Sequence, residues 1–226
     1  MPVIHGINES QSTSYLVVGM SGLAVPENNR ITAARVDVAS DNANDTVAGT
    51  GARKVILSGL DDSGVLVSES ISMNGTTKVT TLNTYSLIKG VTVQEIGSAG
   101  QQGTITVTDS STTISKINAN YGRVIDAVDY FDHTIVLNKL CFSAENDSTN
   151  KNFQVDICLM VPGSKRVIVL QSYIVDNNRP TYTFSLGDVE VSGLIFVRAK
   201  GLNSGTIRAA ATLIYSNKPS KYTPNA

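Results

Sequence analysis

The sequence predicts an all-β protein built from two packed antiparallel units, each sandwich-like or jelly-roll-like, and three observations carry that reading. Apolar and β-branched residues alternate with polar ones over many short runs, the period of a strand with one buried face. Turn signals close those runs at roughly ten-residue spacing, as in sandwiches and barrels. No stretch of ten residues holds a capped 3.6-residue period, so no helix is expected.

The clearest block spans residues 50–108. Val65, Val67, Glu69, Ile71 and Met73 alternate with Leu66, Ser68, Ser70 and Ser72. Strands are expected at 54–58, 65–73, 78–81, 87–96 and 104–108, arranged as an antiparallel meander. Asp62-Ser63-Gly64 and Asn74-Gly75 supply residues that tolerate positive φ at tight turns. The glycine-rich run 97–103 reads as a hairpin loop.

Around this block, residues 15–18 and 31–38 read as strands, the Asn- and Gly-rich run 40–51 as a long loop, and Pro26-Glu27-Asn28-Asn29 as a turn. The Ser/Thr-rich segment 108–120 reads as a connector between a unit at 1–115 and a second at 121–226. It contains no proline or glycine run, so the two units should pack together. In the second unit, strands are expected at 124–125, 134–142, 153–161, 166–174, 181–186, 193–200 and 206–215. Residues 202–211 are alanine-rich, but Gly201, Gly205 and the following β-branched residues favour a strand. A polar loop is expected at 144–152, turns at 162–164 and 176–180, and a polar arm at 216–226.

Composition excludes several function classes. Charged residues make up 16% of the 226 and the net charge is −1, against about 25% charged in an ordinary globular domain. There is no basic excess for a phosphate backbone. No apolar run approaches the ~18–20 residues of a membrane-spanning helix, and the first residues lack the basic and apolar regions of a signal peptide. The chain is therefore expected to stay in a reducing cytoplasm until any release. Cys141 and Cys158 are the only cysteines. Both lie in apolar runs and are expected to be buried free thiols, with a single cross-strand bridge as the alternative.

Catalytic and binding chemistry finds little support. There is no Gly-x-Ser-x-Gly elbow. His5 and His133 are the only histidines, and His5 falls in an expected N-terminal arm. The best metal candidate is Asp126, Asp129 and Asp132 with His133, which would share a face on a helical turn and offer oxygen ligands to Ca²⁺ or Mg²⁺. The same residues also suit a connector whose aspartates bond their own backbone. The run 97–103 lacks a P-loop lysine and a following helix. Asp61-Asp62-Ser63-Gly64 is a plain β-turn. Sequons at Asn44, Asn74 and Asn146 carry no meaning without secretion. There is no Trp for sugar stacking, and Tyr173 and Tyr182 read as strand and turn residues. No catalytic, cofactor-binding or metal residue is expected, and no cofactor.

One stretch is recognisable as a family pattern. The succession Asp41-Asn42-Ala43-Asn44-Asp45-Thr46-Val47-Ala48-Gly49-Thr50-Gly51-Ala52-Arg53, then Ser58-Gly59-Leu60-Asp61, Glu69, Asn74-Gly75-Thr76-Thr77, Val79-Thr80-Thr81, Gly97-Ser98-Ala99-Gly100 and Gly103-Thr104-Ile105 resembles virion structural proteins of tailed bacteriophages, especially marine and cyanobacterial ones. The resemblance covers about residues 30–110. Phe196-Val197-Arg198-Ala199 and the last alanine-rich strand are similar to the same group, less specifically. The resemblance implies a non-enzymatic virion component assembled in the host cytoplasm: an external accessory protein, either a head decoration or a tail or fibre-attachment component. It also implies a homo-oligomer, trimer first, with other virion proteins as partners and neither nucleic acid nor membrane. The alternative is a receptor-binding module for host surface polysaccharide, and a β-sandwich hydrolase is a distant third. Self-association is also expected from the charge-poor composition, from edge strands at 104–108 and 206–215 without Lys or Pro protection, and from polar termini. The interface is expected in the second unit and the arm 216–226.

Overall fold

The structure is a computed structural model. It describes residues 2–11, 14–20, 22–23, 26, 29–146, 152–160, 166–176, 181–202 and 207–218. The turns expected at 162–164 and after Asp176, residues 27–28, and the arm from 219 onward lie outside them. Fifteen strands follow one another with no helix among the described residues. The first ten are β1 (Val3–Gln11), β2 (Leu16–Val17), β3 (Asn29–Ala34), β4 (Asp37–Ser40), β5 (Ala52–Leu60), β6 (Leu66–Ser72), β7 (Val79–Thr80), β8 (Tyr85–Ile96), β9 (Ile105–Asp109) and β10 (Thr112–Ile117). The second group is β11 (Val128–Asn146), β12 (Asn152–Met160), β13 (Val167–Asp176), β14 (Tyr182–Gly201) and β15 (Ile207–Asn217).

Strands β3 to β10 form a sandwich of two four-stranded antiparallel sheets, ordered β3-β8-β5-β6 and β10-β9-β4-β7. Its core joins Val55, Leu57, Ile71, Tyr85 and Val91 of one sheet to Val38, Ile105, Val107, Ile114 and Ile117 of the other. The alternation of β6 is realised as expected: Ile71 is buried and its neighbours Ser70 and Ser72 are exposed. The β5–β6 turn is also as expected. Asp61 Oδ1 accepts from the Ser63 and Val65 amides at 2.9 Å, and Gly64 takes φ 75°.

The meander is corrected. Residues 73–78 and 97–104 are crossings between the two sheets rather than hairpins. Gly75 of the Asn74-Gly75 pair has the positive φ its composition suggested, but its backbone is tied to β4 and to the loop before β5. Ser40 N donates to Gly75 O at 2.9 Å and Gly75 N to Asp45 O at 2.8 Å. The expected connector 108–120 contains β10, which pairs with β9, so a boundary at 115 cuts a strand. The expected edges at 104–108 and 206–215 are interior strands, with β9 between β10 and β4 and β15 between β1 and β11. Small and β-branched residues mark a strand without saying how many neighbours it has.

The second unit is one seven-stranded antiparallel sheet ordered β1-β15-β11-β14-β12-β13, with β2 added beside β14. Its long strands curl so that the two ends of the sheet share one core. Phe142 of β11 and Phe153 of β12 lie 6.4 Å apart at their centroids, although β14 separates the strands. A bulge assists: between Phe131 and Ile135, four residues of β11 advance against two of β14, opposite Gly193 with φ 115°. Residues 1–28, assigned by their position to the first unit, supply β1 and β2 to this sheet. The partner of His5 is Thr212, too far along the chain for any local pattern to reveal. Gly6 fits only as glycine there, since a Cβ would lie 1.8 Å from Val18 O and 2.3 Å from Ala127 N.

Residues 118–127 splice the units. Val93 N donates to Gly122 O and Val124 N to Val91 O, at 2.7 and 3.0 Å. Further along, Ile7 N donates to Ile125 O and Ala127 N to Val18 O, at 3.2 and 2.9 Å. Residues 124–125, expected as a strand, are part of this splice. Beside it, Leu60 and Leu87 of the first unit pack on Val17, Cys158, Met160, Leu194 and Phe196 of the second. Full burial of side chains this size stabilises by about 1.5–3 kcal/mol each, so the junction is a packed core.

Candidate functional site

Two clusters of polar groups are built around the buried side chains of Asp45 and Asp156. In the first unit, Asp45 is completely buried in the loop before β5. Its carboxylate accepts from Ser40 Oγ at 2.6 Å, Ala52 N at 2.6 Å, Gln102 N at 3.1 Å and Gly103 N at 2.8 Å. Burial alone raises a carboxyl pKa, yet these four donors outweigh it and hold Asp45 below its usual value of 3.8. The neighbouring Gln101 is also buried. Its amide donates to Gly103 O at 2.8 Å and Asn118 O at 3.0 Å, and accepts from Gly122 N at 2.9 Å. The glycine-rich run 97–103 is therefore pinned to the loop before β5 and to the connector. Gly103 has no room for a Cβ, which would lie 2.3 Å from Ser40 Oγ.

The second cluster lies on the outer face of β12 and β14. Gln154, Asp156, Cys158 and Met160 share this face by their alternation in the strand. Asp156, Cys158 and Met160 are buried, because residues 15–18 and the first unit cover them. Asp156 accepts from Arg198 Nε and Nη2 at 3.0 and 2.9 Å and from Ser172 Oγ at 2.7 Å. Arg198 lies 4.0 Å from the centre of the Tyr15 ring, with Lys200 Nζ at 4.4 Å, so Tyr15 caps the pair through cation–π contact. Burial, followed by the charge of Asp156, raises the Tyr15 pKa. Both cysteines are free thiols; Cys158 is buried but Cys141 is half-exposed, a correction to the expected burial of both. Burial pushes the Cys158 thiol up to about 12.

The acidic candidates do not converge. From Asp129 onward the segment belongs to β11, so three-residue spacing gives no shared face. Asp129 faces Lys89 at 3.7 Å and accepts from the Tyr130 amide at 2.8 Å. Asp132 Oδ1 lies 2.8 Å from His133 Nδ1, and His133 Nε2 lies 3.4 Å from Asn217 Oδ1. These two partners raise the His133 pKa, and the same contact lowers that of Asp132. Among the described residues, no group of three His, Cys, Asp or Glu could hold a metal ion. His5, expected in an arm, sits in β1, with Nδ1 2.7 Å from Thr212 Oγ1. Burial, then Arg123, lowers its pKa.

Two surface features remain. A cleft of about 110 Å³ at the junction is lined by Lys89, Thr92, Ser115, Arg123 and Asp126 among others. Among the described residues, strand β13 is an edge of the second sheet, bonded to β12 alone. It carries three of the exposed large apolar side chains: Ile168 at 39%, Val169 at 44% and Ile174 at 70%. Val169 and Ile174 lie on the outer face and Ile168 on the inward one, where Tyr173 stacks on Phe184 at 4.0 Å and Gln171 Nε2 donates to Leu186 O at 3.0 Å. The strand expected at 166–174 is strongly apolar, and apolar content does not tell how many neighbours a strand has. No family model matches the chain, and no curated protein or solved structure matches it either.

Proposed function

We propose that this protein is a non-enzymatic structural component of a tailed-phage virion, an external accessory protein of the head, tail or fibre attachment, acting through contacts with copies of itself and with other virion proteins. The observation that carries the reading is what the recognisable residues do. The stretches around Asp45 and Gly103 that resemble phage virion proteins are bound to one another through one buried carboxylate. They build a rigid scaffold. The charge-poor composition and the apolar edge at β13 suit a protein whose business is subunit contact. The aromatic rings that a polysaccharide reader would use, Tyr173, Tyr182 and Phe184, stack on each other against the core.

Antibody-gold labelling of purified particles, with mass spectrometry of their proteins, tests the proposal. The chain is expected in intact virions, with label on their outer surface. A chain found in infected cells but absent from purified particles overturns it. Specific binding of the isolated protein to host polysaccharide favours the receptor-binding alternative.

A further inference from the structure

We infer that the cleft where the two units meet binds a small oxyanion, a carboxylate or a phosphate-type group, with Arg123 as its main anchor and Lys89 as the second. The inference goes beyond the virion reading and does not depend on it. The cleft lies between β8, β10, the connector and the start of β11, and Lys89, Thr92, Ser115, Arg123, Asp126 and Val128 are among its lining residues. Its volume of about 110 Å³ is well below the roughly 300–1,000 Å³ of a drug-sized site. It has room for one charged group, not for a sugar chain or a nucleotide.

Local irregularities of the backbone shape its walls. Ser58 of β5 pairs with Gly90 of β8 and Gly59 with Ile88, so Lys89 is an extra residue of β8. In β10, Thr113 pairs with Thr108 and Ser115 with Val107, so Ile114 is extra, immediately before the buried Ser115. Such bulges re-aim side chains and recur beside functional sites. Arg123 is fixed by its bridge to Thr92, between the Val93–Gly122 and Val124–Val91 backbone hydrogen bonds. Among the described residues Arg123 belongs to no ion pair. The titratable group that feels it is His5, another potential cation, whose pKa burial lowers first and Arg123 second. Lys89 Nζ lies 3.7 Å from Asp129 Oδ1, beyond the roughly 2.7–2.9 Å of a charge-assisted hydrogen bond, so its ammonium can still donate to a ligand. The acidic lining residue Asp126 is packed against the backbone of residue 19, where a Cβ on Gly19 would lie 2.1 Å from its Oδ1. Two cations, with hydroxyl donors from Thr92 and Ser115, are the groups that recognise an oxyanion.

Proton NMR of the full chain tests this, because His5 and His133 are its only histidines and His133→Gln assigns their ring signals. Sulfate and acetate, added at an ionic strength matched with sodium chloride, stand for the two oxyanion classes. An anion beside Arg123 offsets its repulsion of protonated His5, so the His5 titration midpoint should rise and saturate with anion concentration. Arg123→Gln should raise the anion-free midpoint and weaken anion binding by at least about tenfold, the worth of one charged hydrogen bond. Lys89→Gln should weaken it less. Both side chains are exposed, so the circular dichroism spectrum of each variant should match that of the wild type. The anion that saturates at the lower concentration identifies the class of group the cleft takes. A His5 midpoint that neither anion moves overturns the inference. Equal movement in the wild type and Arg123→Gln, without saturation, is ionic screening and overturns it too.

Discussion

Asp156 and Arg198 face each other across β12 and β14, with Arg198 Nη2 2.9 Å from Asp156 Oδ2. The aspartate is almost fully buried, the arginine slightly less so. Removing one member of such a pair leaves an uncompensated buried charge, whereas replacing both with apolar groups is often neutral. Asp156→Ala is therefore expected to cost about 3 kcal/mol. Asp156→Ala/Arg198→Met should recover most of that loss. Urea unfolding of the single variants and the double variant checks it; equal losses in Asp156→Ala and the double variant would show that the pair does not act as a unit.

Asp45 sets an acid limit on the first unit. Its folded pKa lies below the unfolded value of about 3.9. Its contribution is fully present above that value and is lost as pH falls through the lower, folded pKa. Asp45→Asn keeps the shape but turns an NH₂ toward backbone donors, and should cost about 1–3 kcal/mol at neutral pH. Denaturant midpoints from pH 7 down to pH 3 check both points. The wild-type midpoint should fall below about pH 4, and that of Asp45→Asn should fall less.

The two thiols should separate kinetically. Cys141 is half-exposed and within 3.8 Å of Thr183 Oγ1. Cys158 is buried with its thiolate strongly disfavoured, and the thiolate is the reacting species. Titration of the native protein with a thiol reagent at pH 8 should modify one cysteine per chain, the other reacting only after denaturation. Peptide mapping that found Cys158 modified first would refute this.

These cases show what was legible in the sequence. Strands such as β5, β6 and β8 could be read because one face is wet and the other buried, and period two records that difference directly. The same logic does not reach the surroundings of Asp156 and Cys158, whose outward face is covered by residues 15–18 from far along the chain. Nor does it tell an edge such as β13 from an interior strand, because apolar content does not count neighbours. Asp45 looked like one more loop aspartate. The small residues crowding it, above all Gly103, were the available signal, but close packing is visible only once the two loops meet.

The pairing of β1 with β15 also bears on the order in which the protein matures. Hydrogen-bonded partners such as His5 and Thr212 are 207 residues apart. A nascent chain emerges N-terminus first, so β1 waits for its ladder partner until β15 is made. The sandwich of β3 to β10 can close meanwhile, its contacts being nearer in sequence and therefore faster to form. Pulse-labelling hydrogen exchange during refolding should find the amides of β5 and β8 protected before those of β1. Strand β1 is thus made before the sandwich but completed after it, and a ribosome stalled short of β15 would carry a closed sandwich with the β1 ladder still open.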